Sequence, residues 1–386
     1  MADWIGIGKR ARRCYGFDEV ALVPGKTTIN PEEVDTSWEF GGRKFAVPIL
    51  AAAMDGVVDV RFACEMSRLG GIAVLNLDGV QTRYDNPDEV LESIRKAQPA
   101  EATNLIQKIY TSPVKDNLVA KRIQEIKAKN GYAAVSCIPQ NAVRLAPIAE
   151  DAGVDCFVLQ STVTTVTHIA TKYTPLDLYK FCRERNAPVI LGNCVTHDVT
   201  LELLETGCAA ILVGVGPGAS CTTRGVLGIG VPQVTATIDC AAARDFYYQK
   251  SGKYIPIITD GGMRRGGDVC KAFACGADAV MIGSSFARAK ESPGHGFHWG
   301  MATSHGNLPR GTRIEVGISG SVEQILFGPA AVDDGSQNLM GALATSMGSL
   351  GAKILKEMHF TEIIIAPSIQ TEGKLFQAIQ RVGMGK

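Results

Sequence analysis

The sequence predicts an α/β protein folded as a closed (β/α)8 barrel, the TIM-barrel class, in a single domain. Three observations lead there. Eight short, apolar, β-branched runs recur, at 48–54, 71–76, 133–137, 156–161, 189–193, 210–215, 255–260 and 279–283. Stretches of helical periodicity separate them. Most of those stretches stop at a glycine, as in Leu69-Gly70-Gly71, Ala152-Gly153, Thr206-Gly207 and Cys275-Gly276, where a left-handed cap precedes the next strand. Eight alternating units imply parallel strands covered from outside; a doubly wound open sheet is the alternative.

Taken in order, residues 1–47 read as an irregular lead-in with a short strand at 19–23 and turns at Pro24-Gly25 and Asn30-Pro31. The barrel occupies 48–359, and its helices fall at 59–69, 87–97, 118–130, 143–152, 176–185, 199–206, 233–249 and 267–275. Two of these, 87–97 and 118–130, share the long second connection. A glycine-rich flap covers 294–311, and the tail 360–386 reads as a short strand, FTEIIIAP, followed by a helix.

Composition narrows the function. Of 386 residues, 46% are apolar and 20% charged, which supports a packed core rather than disorder. The 39 basic residues balance 39 acidic ones, so no global field favours nucleic acid or an anionic membrane, and an anionic ligand must be held by local geometry. No apolar run reaches the roughly 20 residues that cross a bilayer, and MADWIGIGKRARR lacks the apolar centre of a signal peptide. A cytoplasmic location is expected. Eleven cysteines without a CxxC pair suggest neither a disulfide framework nor a zinc site; most should pack as small hydrophobes.

A barrel places its chemistry at the C-terminal ends of its strands. Those ends carry Met54-Asp55, Asn76, Cys137, Gln160-Ser161, Gly192-Asn193, the loop 214–221, Asp260-Gly261-Gly262 and Gly283-Ser284. The segment AAILVGVGPGASCTTR, 209–224, is a strand feeding a loop with Gly214, Gly216 and Gly218 that presents Cys221, the arrangement of a nucleophile on a rigid scaffold. Gly262, Gly283 and Ser284 can bring N–H groups close to a phosphate, and Asp260 can accept two hydrogen bonds from vicinal sugar hydroxyls. The same residues also read as a tight turn and an N-cap. The glycine triplet is not GxGxxG and no helix is expected directly after it, so a Rossmann site is not supported; GxxxxGK[ST] is absent. Alternate glycines can turn carbonyls inward toward a monovalent cation, or simply give flexibility. Cys194 and His197 have a metal-like spacing without further ligands, and His298 and His305 fall in the flap.

Together these motifs resemble the IMP dehydrogenase and GMP reductase family. The similar segments are FDEVALVPG, PILAAAMDGVVD, GNCVTHDVTLELLETGCAAILVGVGPGASCTTR, GVPQVTA, IITDGGMRRGGDVCKAFACGADAVMIGSSFA and TSMGSLGA. The similarity is strongest to the branch without CBS domains, because the second connection is too short to hold that insertion. The resemblance implies a homotetramer or homo-octamer acting on IMP or another purine monophosphate with NAD and a potassium ion. It makes Cys221 the nucleophile at the purine C2 and Thr223 its neighbouring hydroxyl. Met54 would pack on the base; Asn193, Ser220 and Asp260 would line the nucleotide site, with Gly262, Gly283 and Ser284 on the phosphate. Gln160, Ser161, Thr162 and Gly214 would meet the cofactor, and Gly216, Gly218 and Cys221 would offer carbonyls to potassium.

Several positions depart from the family pattern. Ala52 and Ala219 stand where many members have serine, and Gln160 replaces the aspartate that usually meets the nicotinamide ribose. The flap is short, with only ATSHGNLP between Met301 and Arg310, and contains no Arg-Tyr pair. Arg310 occupies the place where reductases carry a glutamate. An arginine, with a pKa above about 12, is a poor donor of the proton that departing ammonia requires. The expectation is therefore an NAD-dependent IMP dehydrogenase with Cys221, Thr223 and Arg310 as catalytic residues. A GMP reductase, or a non-catalytic purine-nucleotide-binding regulatory protein, is the alternative.

Overall fold

The computed structural model describes residues 2–300 and 312–385. Eight parallel strands close on themselves: β1 (Ile49–Ala51), β2 (Ile72–Asn76), β3 (Ala134–Cys137), β4 (Cys156–Gln160), β5 (Val189–Cys194), β6 (Ala210–Val213), β7 (Ile257–Asp260) and β8 (Ala279–Ile282). The decisive pairing is β8 with β1, where Val280, Met281 and Ile282 align with Ile49, Leu50 and Ala51. That seam makes a barrel and excludes the open sheet. Each of the eight runs read from the sequence corresponds to one strand.

The strands are apolar on both faces because the barrel interior packs one side and helices cover the other. Every residue of β2 is buried, which is why it reads as a continuous apolar run rather than an alternating one. The helices fall where periodicity places them, with ends shifted by a few residues. Val60–Arg68 starts on Asp59, whose carboxylate accepts from the Phe62 N–H at 2.8 Å, and stops before Gly70 at φ +85°. One helix of the second connection was not anticipated. Pro99–Ile109 lies in the second connection between Pro87–Lys96 and Asp116–Lys127, and its buried Ala102, Ile106 and Ile109 are too widely spaced among polar residues to stand out.

The two ends of the chain meet outside the barrel. Val20–Leu22 pairs antiparallel with Ile363–Ile365, and an N-terminal hairpin, Ala2–Gly6 with Lys9–Arg12, is tied to helix Gln233–Ser251 by an Arg12–Asp239 ion pair.

One buried charge cluster braces the strands below the site. Arg244 on helix Gln233–Ser251 is 2% exposed and donates to Asp278 Oδ2 at 2.8 Å and to the Gly276 carbonyl at 2.7 Å. Asp278 also accepts from Tyr254 Oη at 2.6 Å and from the Ile257 N–H at 2.9 Å, so it joins the start of β7 to the turn before β8. Arg244→Met would leave the Asp278 carboxylate buried without its cation. A loss of about 3 to 5 kcal/mol is expected from the urea midpoint.

Candidate active site

The strand ends on one face open into a cavity of about 640 Å³. Its wall includes Met54 after β1, Gln160, Ser161 and Thr162 after β4, Asn193 on β5, Asp260 on β7, and Gly214, Gly216, Gly218, Ser220, Cys221 and Thr223 after β6. These residues span more than 200 positions of sequence, and only closure of the barrel brings them together.

The loop after β6 is shaped by its glycines and by Arg224. A Cβ at Gly214 would sit 2.4 Å from the Asp260 carbonyl oxygen, so only glycine lets the loop leave β6 beside β7. The Arg224 guanidinium donates to the carbonyls of Val215 at 3.2 Å and Val231 at 2.8 Å, which closes the base of the loop. The Cys221 N–H reaches the Gly218 carbonyl at 3.0 Å. Behind it a five-residue helix, Thr223–Leu227, opens directly, contrary to the expectation of none. It is one turn long, and with Gly225 and Val226 inside it carries no amphipathic period to reveal it. Cys221 is half-buried, and its Sγ lies 3.2 Å from the buried Thr223 hydroxyl.

In the same cavity, three strand ends form a polar triangle. Asn193 Nδ2 donates to Asp260 Oδ2 at 2.8 Å, Gln160 Nε2 donates to the same oxygen at 3.2 Å, and Gln160 Nε2 also donates to Asn193 Oδ1 at 3.0 Å. Burial pushes the Asp260 carboxyl up to about 6, and the two amide hydrogen bonds oppose that rise. Gln233, at the start of its helix, steadies the backbone beneath by donating to the carbonyls of Val213 at 2.6 Å and Asp260 at 3.3 Å.

The remaining expected residues are distributed as follows. Gly262, Gly283 and Ser284 lie at the ends of β7 and β8 on the same barrel face but outside the cavity lining, with Gly283 against the Met54 sulfur. Arg310 and His305 lie outside the described residues. His298 is 1% exposed, burial pushes its imidazole down to about 4, and its ring nitrogens have no hydrogen-bond partner among the described residues. Cys194 faces Thr200 rather than His197, which pairs with Asp198. No cluster of metal-ligating side chains occurs among the described residues, all eleven cysteines are free and eight of them are buried, and no helix there is long and apolar enough to cross a membrane.

The far wall was not singled out in the sequence. Asp78, Arg83, Gln140 and Asn141 line it, with Asp78 accepting from the Ile138 N–H at 2.7 Å and from the Asn141 amide. They follow β2 and β3 by a few residues, so the rule that barrel chemistry sits after strand ends was the available signal.

Comparison with known proteins agrees with this fold. Residues 14–374 match the family model described as the IMP dehydrogenase / GMP reductase domain. The chain belongs to that family. An uncharacterized oxidoreductase of Mycolicibacterium smegmatis is 37% identical over 92% of this chain and 97% of its own length. The inosine-5'-monophosphate dehydrogenase of Cryptosporidium parvum is 32% identical over 89% of each chain. A crystal structure of an IMP dehydrogenase/GMP reductase-like protein from Corynebacterium glutamicum superposes with a TM-score of 0.89 at 34% identity, covering 94% of this chain and 97% of that one. The family is one of oxidoreductases that act on purine nucleotides.

Proposed function

We propose that this chain is an NAD-dependent IMP dehydrogenase, converting IMP to XMP. The observation that carries the reading is the Cys221 sulfur on the loop after β6, in one cavity with the Asp260 carboxylate that Asn193 and Gln160 hold in place. A soft nucleophile and a sugar-hydroxyl acceptor at one strand-end face suit a nucleotide whose base is attacked while its ribose is gripped. The arginine at position 310 favours oxidation over the reductive direction, since it cannot supply the proton that departing ammonia needs.

In this mechanism the thiol, whose hydrogen bond Thr223 Oγ1 accepts at 3.2 Å, loses its proton to solvent, and the thiolate adds to C2 of the purine. The C2 hydrogen leaves with its electron pair, and the base remains joined to Cys221 as a thioimidate. Water then adds at C2, the C–S bond breaks, and XMP departs with the thiol restored. Bound NAD would supply the hydride acceptor; Ser161, Thr162 and Gly214, which line the cavity, would offer hydroxyl and backbone groups to its carboxamide. A potassium ion would be met by backbone oxygens of Gly216, Gly218 and Cys221. Those are hard, neutral donors suited to an alkali cation, and no hydrogen bond among the described residues ends on the Gly216 carbonyl.

The test is to assay both directions with both cofactors. IMP with NAD should yield NADH and XMP in equal amounts. Consumption of NADPH on addition of GMP, without that reaction, would replace this reading by a reductase; nucleotide binding without turnover in either direction would replace it by a regulatory binding protein.

A further inference from the structure

Gln160 stands at the end of β4, aligned with Gly192 of β5, and its side chain reaches across the mouth of the barrel to β7. Its amide lies within hydrogen-bond distance of two acceptors at once, Asn193 Oδ1 at 3.0 Å and Asp260 Oδ2 at 3.2 Å. Asn193 must present its oxygen there because its own NH2 donates to Asp260 Oδ2 at 2.8 Å. With both neighbours fixed as acceptors, only the NH2 end of Gln160 satisfies them. Asp260 Oδ2 therefore takes two amide donors. Oδ1 takes none among the described residues and is the oxygen left for a ligand.

We propose that Gln160 is a positioning residue for the nucleotide half of the site: it aims the Asp260 carboxylate at the substrate ribose rather than serving the nicotinamide cofactor. The assignment rests on the functional reading above and names which half of the reaction this residue governs. A carboxylate at 160 could not do the same work. When ionised it has no proton to donate, and it would place a second negative charge next to Asp260 Oδ2. The other titratable groups lining the cavity are Cys221 after β6, Cys137 at the end of β3, and Asp78 and Arg83 after β2. Asp78 is engaged by the Ile138 N–H and the Asn141 amide, and Arg83 Nε by the Asp78 carbonyl at 3.0 Å. The end of β8, Gly283-Ser284, carries no titratable side chain.

The experiment uses the full chain and three proteins: wild type, Gln160→Leu and Gln160→Glu. IMP binding is followed by calorimetry without NAD, from about pH 5.5 to about pH 8.5 across the carboxylate titration range, and the KM for NAD is measured separately. Gln160→Leu should weaken IMP binding roughly tenfold or more at every pH, the effect of losing a hydrogen bond to a charged group, with the KM for NAD within about twofold. Gln160→Glu should be weaker still at high pH and should recover toward wild type as the pH falls, because a protonated glutamic acid regains the donor. A general loosening of the strand end would not produce that recovery. Variants that bind IMP as wild type does across the range, or that raise only the KM for NAD, would overturn the assignment. Wild-type protein that binds no purine monophosphate would overturn the functional reading and this assignment with it.

Discussion

Replacing Cys221 by alanine is expected to lower turnover of IMP by about four orders of magnitude or more, because the covalent route is removed and no other thiol can take it over. Among the eleven cysteines Cys221 alone lines the cavity at the tip of a loop; Cys137, the other one bordering it, is buried in β3, and burial pushes its thiol far up from the ordinary range. IMP binding by the variant should remain within a few-fold of wild type, since Asp260 and Asn193 are untouched. A companion measurement uses the native protein. A soft alkylating reagent should label Cys221, identified by mass spectrometry, and saturating IMP should block the labelling. Retained turnover in Cys221→Ala, or equal labelling with and without nucleotide, would remove the thiol from the mechanism.

Asp260→Asn is expected to separate function from stability. The carboxyl is raised from 3.8 to about 6 by burial, so the folded state holds its proton more tightly than the unfolded chain does. The sign follows directly: the stabilising contribution is fully present below about pH 4 and is lost as the pH rises through about 6. An asparagine, neutral throughout, should make the protein more stable than wild type near pH 7.5 by on the order of 2 kcal/mol, the difference vanishing below about pH 4. Nucleotide binding should move the opposite way. Loss of the charged acceptor should raise the KM for IMP roughly tenfold to a hundredfold near neutral pH, and the wild-type KM should rise as the pH falls through about 6. Thermal midpoints and initial rates over pH read both effects. A variant less stable than wild type at every pH, or one with an unchanged KM, would refute the placement of this carboxylate.

Barrel and candidate site were legible to different depths. The eight strands could be read because burial on both faces demands unbroken apolar runs, and the helix stops because a left-handed cap favours glycine. Helix Pro99–Ile109 could not, since its apolar face is thin, and the helix Thr223–Leu227 is too short to show a period. Among site residues, Cys221, Asn193, Asp260 and Gln160 were visible as polar ends of apolar runs. Asp78, Arg83, Gln140 and Asn141 lie beyond the strand ends, in stretches that look like ordinary polar connections.

What the sequence by itself determined was the architecture and the position of a candidate nucleophile: alternating apolar runs and capped helices specify a barrel, and GPGASCTTR puts one thiol on the loop after β6. Those are properties of local pattern. The tertiary structure alone decided how the groups work together. That Gln160 and Asn193 converge on one oxygen of Asp260, leaving the other for a ligand, depends on the relative angles of β4, β5 and β7 once the β8–β1 seam is closed. Hydrogen-bond direction and burial are set by three-dimensional neighbours rather than by spacing along the chain, and they turn a row of polar strand ends into a site.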